Sequence, residues 1–371
     1  MMKVLVTGAK GFVGKNLCLE LKNRKEYEIY ECDINTTKEE LDAFTKDCEF
    51  VFHLAGVNRP QNTDDFYTGN FGFTTELLDH LKKNGNKCPI LMSSSIQAAL
   101  DNDYGKSKKM GEDYILKYGE ENGVKTYVFR LPNVYGKWCR PNYNSAIATF
   151  CNNIAHNLEI TVNNRATMMT VVYIDDVVND FINAAHDDVY RNEEGYCKVR
   201  VEDKITLGEI ADTLYSFKNS RETLSIADMN RGVIKKLYST YLSYLPEDDF
   251  GYDLNMHCDN RGSFTEFIRT NGQGQVSVNI SKPHIVKGNH WHHTKNEKFL
   301  VVKGHGMIRF RKIGTDKVIE YEVTGDKLQA IDIPCGYTHN IENIGDDDMV
   351  TIMWANEPFD PEHPDTFFEE V

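Results

Sequence analysis

The sequence predicts two domains in series: a doubly wound α/β domain over residues 1–247 and an all-β domain over 252–371. Length is the first ground. At 371 residues the chain exceeds what one hydrophobic core serves, since single cores stop growing near roughly 250–300 residues. The second ground is the alternation of short aliphatic runs with amphipathic stretches from residue 1 to about 190. Lys3–Val6, Ile29–Cys32, Phe50–Leu54, Ile90–Met92 and Tyr127–Arg130 read as strands; Gly14–Leu21, Thr74–Leu81 and Gly105–Tyr118 read as helices between them. Such alternation gives a parallel sheet with helices on both faces. The third ground is a change of pattern after Gly262. Gln275–Ile280, Lys298–Val302, Met307–Arg311, Val318–Val323, Leu328–Ile333 and Val350–Trp354 are short alternating segments separated by Gly, Asn and Asp turns, the signature of an antiparallel barrel or sandwich.

The boundary falls in Leu245–Gly262, where Pro, Gly and acidic residues interrupt both patterns. Residues 205–245 read as helical, with Tyr238, Tyr241 and Tyr244 at near-helical spacing as packing residues. Hydrophobic residues at 40% and charged residues at 26% exclude disorder. A formal net charge of −14 with no basic stripe excludes nucleic acid as a partner. No apolar run reaches the roughly 18 residues of a membrane span and the N-terminus lacks a signal-peptide pattern, so a cytoplasmic protein is expected. The nine cysteines contain no Cys-x-x-Cys pair, which points to reduced, mostly buried thiols.

The first strand runs directly into Gly8-Ala9-Lys10-Gly11-Phe12-Val13-Gly14 and then a helix. Glycines between strand and helix let a pyrophosphate approach backbone N–H groups at a helix N-terminus, so a Rossmann-like dinucleotide site is expected there. Asp33 lies 19 residues after Gly14, where a carboxylate accepts hydrogen bonds from an adenosine ribose and repels a 2′-phosphate. NADH is therefore expected to serve at least as well as NADPH; the plainer role for Asp33 is to cap a loop.

Tyr104 and Lys108 are four residues apart and share a helix face. An ammonium beside a phenol favours its ionised form, so Tyr104 can exchange a proton with a carbonyl oxygen while hydride moves at carbon. Upstream, strand Ile90–Met92 ends in Ser93-Ser94-Ser95, whose hydroxyls can hold a substrate oxygen.

The motifs TGAKGFVG, HLAG (53–56), SSS (93–95), YGKSK (104–108) and RLPNVYG (130–136) resemble the extended short-chain dehydrogenase/reductase family over about residues 1–190. The resemblance implies a catalytic set of Ser95, Tyr104 and Lys108. It puts Gly8, Gly11, Phe12, Val13, Gly14, Asp33, Leu54, Ala55, Gly56 and Lys108 around the cofactor. Ser94, Arg130 and Asn133 fall toward the substrate, and Asn70 matches a helix residue near the site.

In the second domain, His290-Trp291-His292-x4-Glu297 precedes Pro334-x-Gly336-x-x-His339-x3-Asn343. Histidines two apart on a strand face the same side, so both can reach one ion inside a barrel, and Glu297 and His339 can complete the set. Three imidazoles and one carboxylate suit a divalent transition metal, zinc first among them. His293 should face outward by alternation. The set resembles both motifs of the cupin superfamily, and hence a jelly-roll fold; that resemblance places a glycine where this chain has His284.

Joined, the two motif sets resemble, over essentially the whole chain, the bifunctional CapF-type enzymes of capsular polysaccharide synthesis. That resemblance implies C3 epimerisation of a UDP-linked 4-keto-6-deoxy-N-acetylhexosamine by the cupin domain. Reduction at C4 with NADPH or NADH by the dehydrogenase domain follows, giving UDP-N-acetyl-6-deoxy-L-talosamine on the way to N-acetyl-L-fucosamine. A homodimer is expected. The C3 hydrogen is acidic only while C4 is a ketone, so epimerisation precedes reduction. Lys298, Tyr337 and His293 are the candidates for the epimerising base. One rival reading is an epimerase or dehydratase that recycles bound NAD; dehydratases of the family often carry Asp-Glu after the catalytic hydroxyl, where this chain has Ile96-Gln97. The other makes the cupin domain a non-catalytic binding or dimerisation module.

Overall fold

The computed structural model describes residues 1–57, 67–270, 272, 274–358 and 360–371. By its internal contacts the chain divides into two compact units: Met1–Tyr215 with Lys235–Pro246, and Ser216–Ile234 with Glu247–Val371. The division departs from the linear boundary expected at 247–252. Residues 216–234 belong with the C-terminal unit because Ser225–Ile226 pairs in parallel with Arg269–Thr270 at the edge of its sheet.

In the first unit, β1 (Met2–Thr7), β2 (Tyr27–Cys32), β3 (Phe50–His53), β4 (Ile90–Ser95) and β5 (Thr126–Leu131) form a parallel sheet in the order β2-β1-β3-β4-β5. Cys197–Lys198 and Tyr190–Arg191 extend its far edge. The strands read as unbroken apolar runs because both faces are covered. Val4, Val6, Phe50, Phe52 and Leu91 enter one core cluster, while Leu5, Val51, Ile90 and Met92 enter the other. Local signals set the helix ends: Thr37 and Glu40 form a reciprocal capping box at the start of Lys38–Asp47. The chain reverses across β1, so the ends of β1 and β3 open into the crevice where such sheets bind ligands.

The C-terminal unit is a cupin-like β domain without a helix among the described residues after 247. One sheet runs Ser225–Ile226, Gly262–Thr270, Gly274–Ser281, Met349–Ala355, Glu297–Lys303, Ala330–Ile333; the other runs Val318–Thr324, His305–Lys312, Tyr337–Asn343, Val286–Trp291, Phe367–Phe368. Alternate residues of both, among them Phe299, Val301, Ile308, Phe310 and Ile341, make one core.

No helix of the described residues is long and apolar enough to cross a membrane. All nine cysteines are free, and all but Cys258 and Cys335 are buried.

Candidate active sites

The glycine loop is fixed by close packing as well as by turn geometry. Gly8 has φ +67°, and a Cβ on Gly14 would sit 2.1 Å from the Gly8 carbonyl oxygen, so neither position admits a side chain. The helix Phe12–Arg24 starts without a side-chain cap. Gly8, Gly11, Phe12, Val13, Gly14, Leu54 and Gly56 line a cavity of about 860 Å³ that also holds Ser95, Tyr104, Lys108 and Asn133. N–H groups at an uncapped helix start are an anion site, so these residues fit a dinucleotide pyrophosphate. Beneath them Thr7 Oγ1 accepts from the N–H groups of Leu54 (3.1 Å) and Ala55 (3.2 Å), and His53 bridges Thr7 to Thr74.

Helix Asp103–Asn122 carries the candidate pair Tyr104 and Lys108. Asn102 caps it by accepting from Gly105 N–H at 2.7 Å, and Gly105 lets its first turn press on the carbonyls of Gln97 and Leu100. Tyr104 thereby meets the end of β4. Burial pushes the phenol up to about 12, while the neighbouring Ser95 hydroxyl works against that rise. At neutral pH the phenol thus stays protonated, and the ionised form expected from the nearby Lys108 ammonium does not prevail because burial outweighs it. Lys108 is buried one turn later; burial brings its ammonium down to about 8, against the pull of Glu112, and it donates to the Ser93 carbonyl at 3.4 Å. Asn70 sits in a π-helical turn, Tyr67–Gly72, and clamps Val57 through both its oxygen (2.8 Å) and its nitrogen (3.0 Å).

Two of the residues expected near the substrate are held by a shared partner. Ser94 lines the cavity beside Ser95, and its hydroxyl donates to the buried Glu112 at 2.6 Å. Arg130 forks onto the same carboxylate at 2.8 and 3.0 Å and lies over the Tyr196 ring, 3.6 Å from its centre. Both are tied up in a buried ion-pair network. Asp33 stands at the end of β2, beside the glycine loop through the Ala9 N–H to Cys32 carbonyl bond (3.2 Å), but its Oδ1 accepts from Ile34 N–H at 2.5 Å. One carboxylate oxygen therefore caps a loop. The tyrosine stripe also divides: Tyr241 is core, whereas Tyr244 lines the cavity and donates to the Cys139 carbonyl.

In the cupin-like unit the ligand atoms of His290, His292, Glu297 and His339 all lie within 4.8 Å of one another. Glu297 Oε2 is 3.5 Å from His292 Nε2 and 3.3 Å from His339 Nε2. All three atoms are buried without a hydrogen-bond partner. Burial alone would raise the Glu297 carboxyl, yet the two imidazoles hold it below the usual carboxylate range. Desolvation brings His290 down to about 4, which leaves it neutral. His292 donates Nδ1–H to the Asp365 carbonyl at 2.6 Å, which fixes the tautomer that turns Nε2 toward the cluster. Three imidazoles and a carboxylate held ionised, with His292 Nε2, Glu297 Oε2 and His339 Nε2 buried and unpaired, fit a divalent transition ion.

Asp365 is a residue that sequence reasoning missed. Its carboxylate accepts from the N–H groups of His293, Thr294 and Lys295 at 2.9–3.0 Å and so sets the ligand loop. His284, standing where the cupin pattern has glycine, adopts φ +60°, so the backbone keeps the left-handed turn. None of the three candidate bases lines the adjoining cavity of about 600 Å³. Lys298 pairs with Asp332, His293 is an exposed ring between Trp291 and Phe367, and Tyr337 packs on the core.

Residues 4–194 match the NAD dependent epimerase/dehydratase family, and 257–367 match the polysaccharide biosynthesis C-terminal domain. The chain belongs to the NAD dependent epimerase/dehydratase family. Its relatives within that family include the UDP-2-acetamido-2,6-beta-L-arabino-hexul-4-ose reductase of Pseudomonas aeruginosa, 46% identical over 99% of this chain and 98% of that protein. The crystal structure of the capsular polysaccharide assembling protein CapF from Staphylococcus aureus is 55% identical, with a TM-score of 0.95 over 100% of both chains. The UDP-glucuronic acid 4-epimerase of Bacillus cereus shares the fold of the family domain, at 19% identity and a TM-score of 0.52 over 59% of this chain and 84% of that one.

Proposed function

We propose that the protein converts a UDP-linked 4-keto-6-deoxy-N-acetylhexosamine in two steps, C3 epimerisation in the cupin-like domain and then C4 reduction in the family domain, to UDP-N-acetyl-6-deoxy-L-talosamine. The observation that carries the reading is one chain holding both a three-histidine, one-glutamate cluster with unpaired buried atoms and a separate Ser95–Tyr104–Lys108 set beside a dinucleotide cradle. The full-length similarity to a nucleotide-sugar 4-ulose reductase and to CapF supports the substrate class and the capsular role.

In the reduction, the glycine cradle would hold reduced nicotinamide, which would supply a hydride. Ser95 holds the C4 oxygen, Tyr104 delivers its proton to that oxygen, and Lys108 supports the resulting charge. A phenol kept protonated suits reduction better than oxidation. In the epimerisation, His290, His292, Glu297 and His339 would hold a zinc-class ion, which supplies a Lewis acid for the ketone. Incubating the protein with the UDP-4-keto sugar in D₂O, with and without reduced cofactor, tests both steps. Deuterium at C3 without cofactor and cofactor oxidation only with sugar are expected; a net redox-neutral product would instead favour the recycling of bound NAD.

A further inference from the structure

Epimerisation at C3 requires a group that removes a proton, and the cavity beside the cluster offers one that the sequence did not single out. Lys287 lies on strand Val286–Trp291, three residues before His290, a spacing that ordinarily puts two side chains on opposite faces. Here the strand carries a bulge. Gly288 pairs with Asn340 and His290 with His339, so Asn289, at φ +58°, is the extra residue. The bulge restores the phase: Lys287 stands opposite Ile341 and His290 opposite His339, two partners two apart on one strand. All four line the same cavity.

The environment of Lys287 is unusual for a lysine. It is half-buried, and both its hydrogen-bond partners are neutral: Asn279 Oδ1 at 2.8 Å and the Ile280 carbonyl at 2.9 Å. Asn279 is itself buried and oriented by donating to Ser281 Oγ at 3.1 Å. A neutral amine has two N–H bonds and one lone pair. Two acceptors occupy the donors and leave the lone pair for the cavity. Desolvation lowers the ammonium below its ordinary value; Asp259 opposes this, but Arg261 forks onto that carboxylate at 2.7 and 3.0 Å and itself favours the neutral amine. The other titratable groups of this wall, His257 and Cys258, lie on the exposed strand Met256–Asp259.

We infer that Lys287 is the base that removes the C3 proton, a role that rests on the epimerase reading. The C3 hydrogen passes as a proton to Lys287 Nζ, the C–H electron pair becomes the C3–C4 double bond, and the carbonyl pair moves onto O4. Collapse of that enolate takes a proton from solvent water on the opposite face, and Nζ returns its proton to water, so no redox partner enters.

The test compares wild type, Lys287→Ala and Lys287→Arg by C3 deuterium uptake without reduced cofactor, bound-metal stoichiometry and rescue by added ethylamine. Both variants are expected to retain metal and lose exchange by about 10²–10⁴-fold, and ethylamine is expected to restore part of it to the Ala variant alone. Should the Ala variant shed its metal, the Arg variant decides by itself, since it keeps a cation and its donors. Metal-bound Lys287→Arg exchanging within tenfold of wild type overturns the role of Lys287 and leaves the epimerase reading standing. A metal-replete wild type that takes up no deuterium overturns both.

Discussion

The two sites of this chain solve opposite problems. In the family domain the polar groups under the glycine loop are paired with one another, Thr7 with His53, His53 with Thr74, and Asn70 with Val57 and Ser107. In the cupin-like domain His292 Nε2, Glu297 Oε2 and His339 Nε2 are buried and unpaired. An unpaired buried polar atom costs about 1–3 kcal/mol, so the second site completes itself only by gaining a ligand. A preformed site and an incomplete one should therefore respond differently to the same kinds of change.

The sharpest break is expected from His339→Ala. Losing one ligand should abolish metal retention and C3 exchange together, while reduction of an already epimerised sugar continues. Metal titration followed by thermal unfolding adds a readout free of activity: the wild-type melting temperature should rise with metal and that of the variant should not.

Next in size is Tyr104→Phe, which keeps the ring and removes the proton donor. Hydride transfer should fall by about 10²–10⁴-fold in stopped-flow assays, with C3 exchange and cofactor binding intact. Cofactor oxidation at the wild-type rate would remove Tyr104 from the mechanism.

Lys108→Met should lose reduction yet stabilise the protein without cofactor. The folded-state value near 8 lies below the ordinary 10.5, so below pH 8 both states are protonated and the fold carries the full cost of a buried charge. Between 8 and 10.5 the unfolded chain binds the extra proton, and the cost fades as pH rises. The stabilisation, on the order of 3 kcal/mol at pH 7 from about 1.4 kcal/mol per pH unit, should shrink toward zero by pH 10.5 in denaturant titrations. A gap independent of pH would mean that packing, not charge, sets it.

Ser94→Ala and Asp33→Ala mark the small end. The first should cost about 1–3 kcal/mol of stability by depriving Glu112 of a donor, with kcat little changed, whereas Ser95→Ala should impair kcat. The second should move kcat/KM from NADH toward NADPH several-fold. A strong NADPH preference in the unmodified enzyme would place the ribose contacts elsewhere.

The contrast also explains what was legible in the sequence. Gly8 to Gly14 and Tyr104 to Lys108 are local patterns, and their geometry follows from one turn and one helix. The histidine–glutamate cluster was legible because its residue types are rare together. The bonds of Ser94 and Arg130 to Glu112 were not legible because motif position does not say which partner a side chain finds on a neighbouring element. Lys287 was invisible for a related reason: its phase depends on a bulge at Asn289, and nothing in Val-Lys-Gly-Asn-His announces one. Asp365 acts across more than seventy residues of sequence, beyond any spacing rule. The strand Ser225–Ile226 is two residues long, too short for a period to register.

The Asp365 clamp bears on when the histidine–glutamate cluster can assemble during biosynthesis. The loop that presents His292 and leads to Glu297 is shaped by one carboxylate and one carbonyl of residue 365. While the ribosome still holds that residue, the ligand loop has no clamp and His292 no fixed tautomer. The family domain, by contrast, has its cradle and its Tyr104 helix complete more than two hundred residues earlier. A nascent chain would thus form its glycine cradle well before residue 365 exists to shape the loop of the histidine–glutamate cluster.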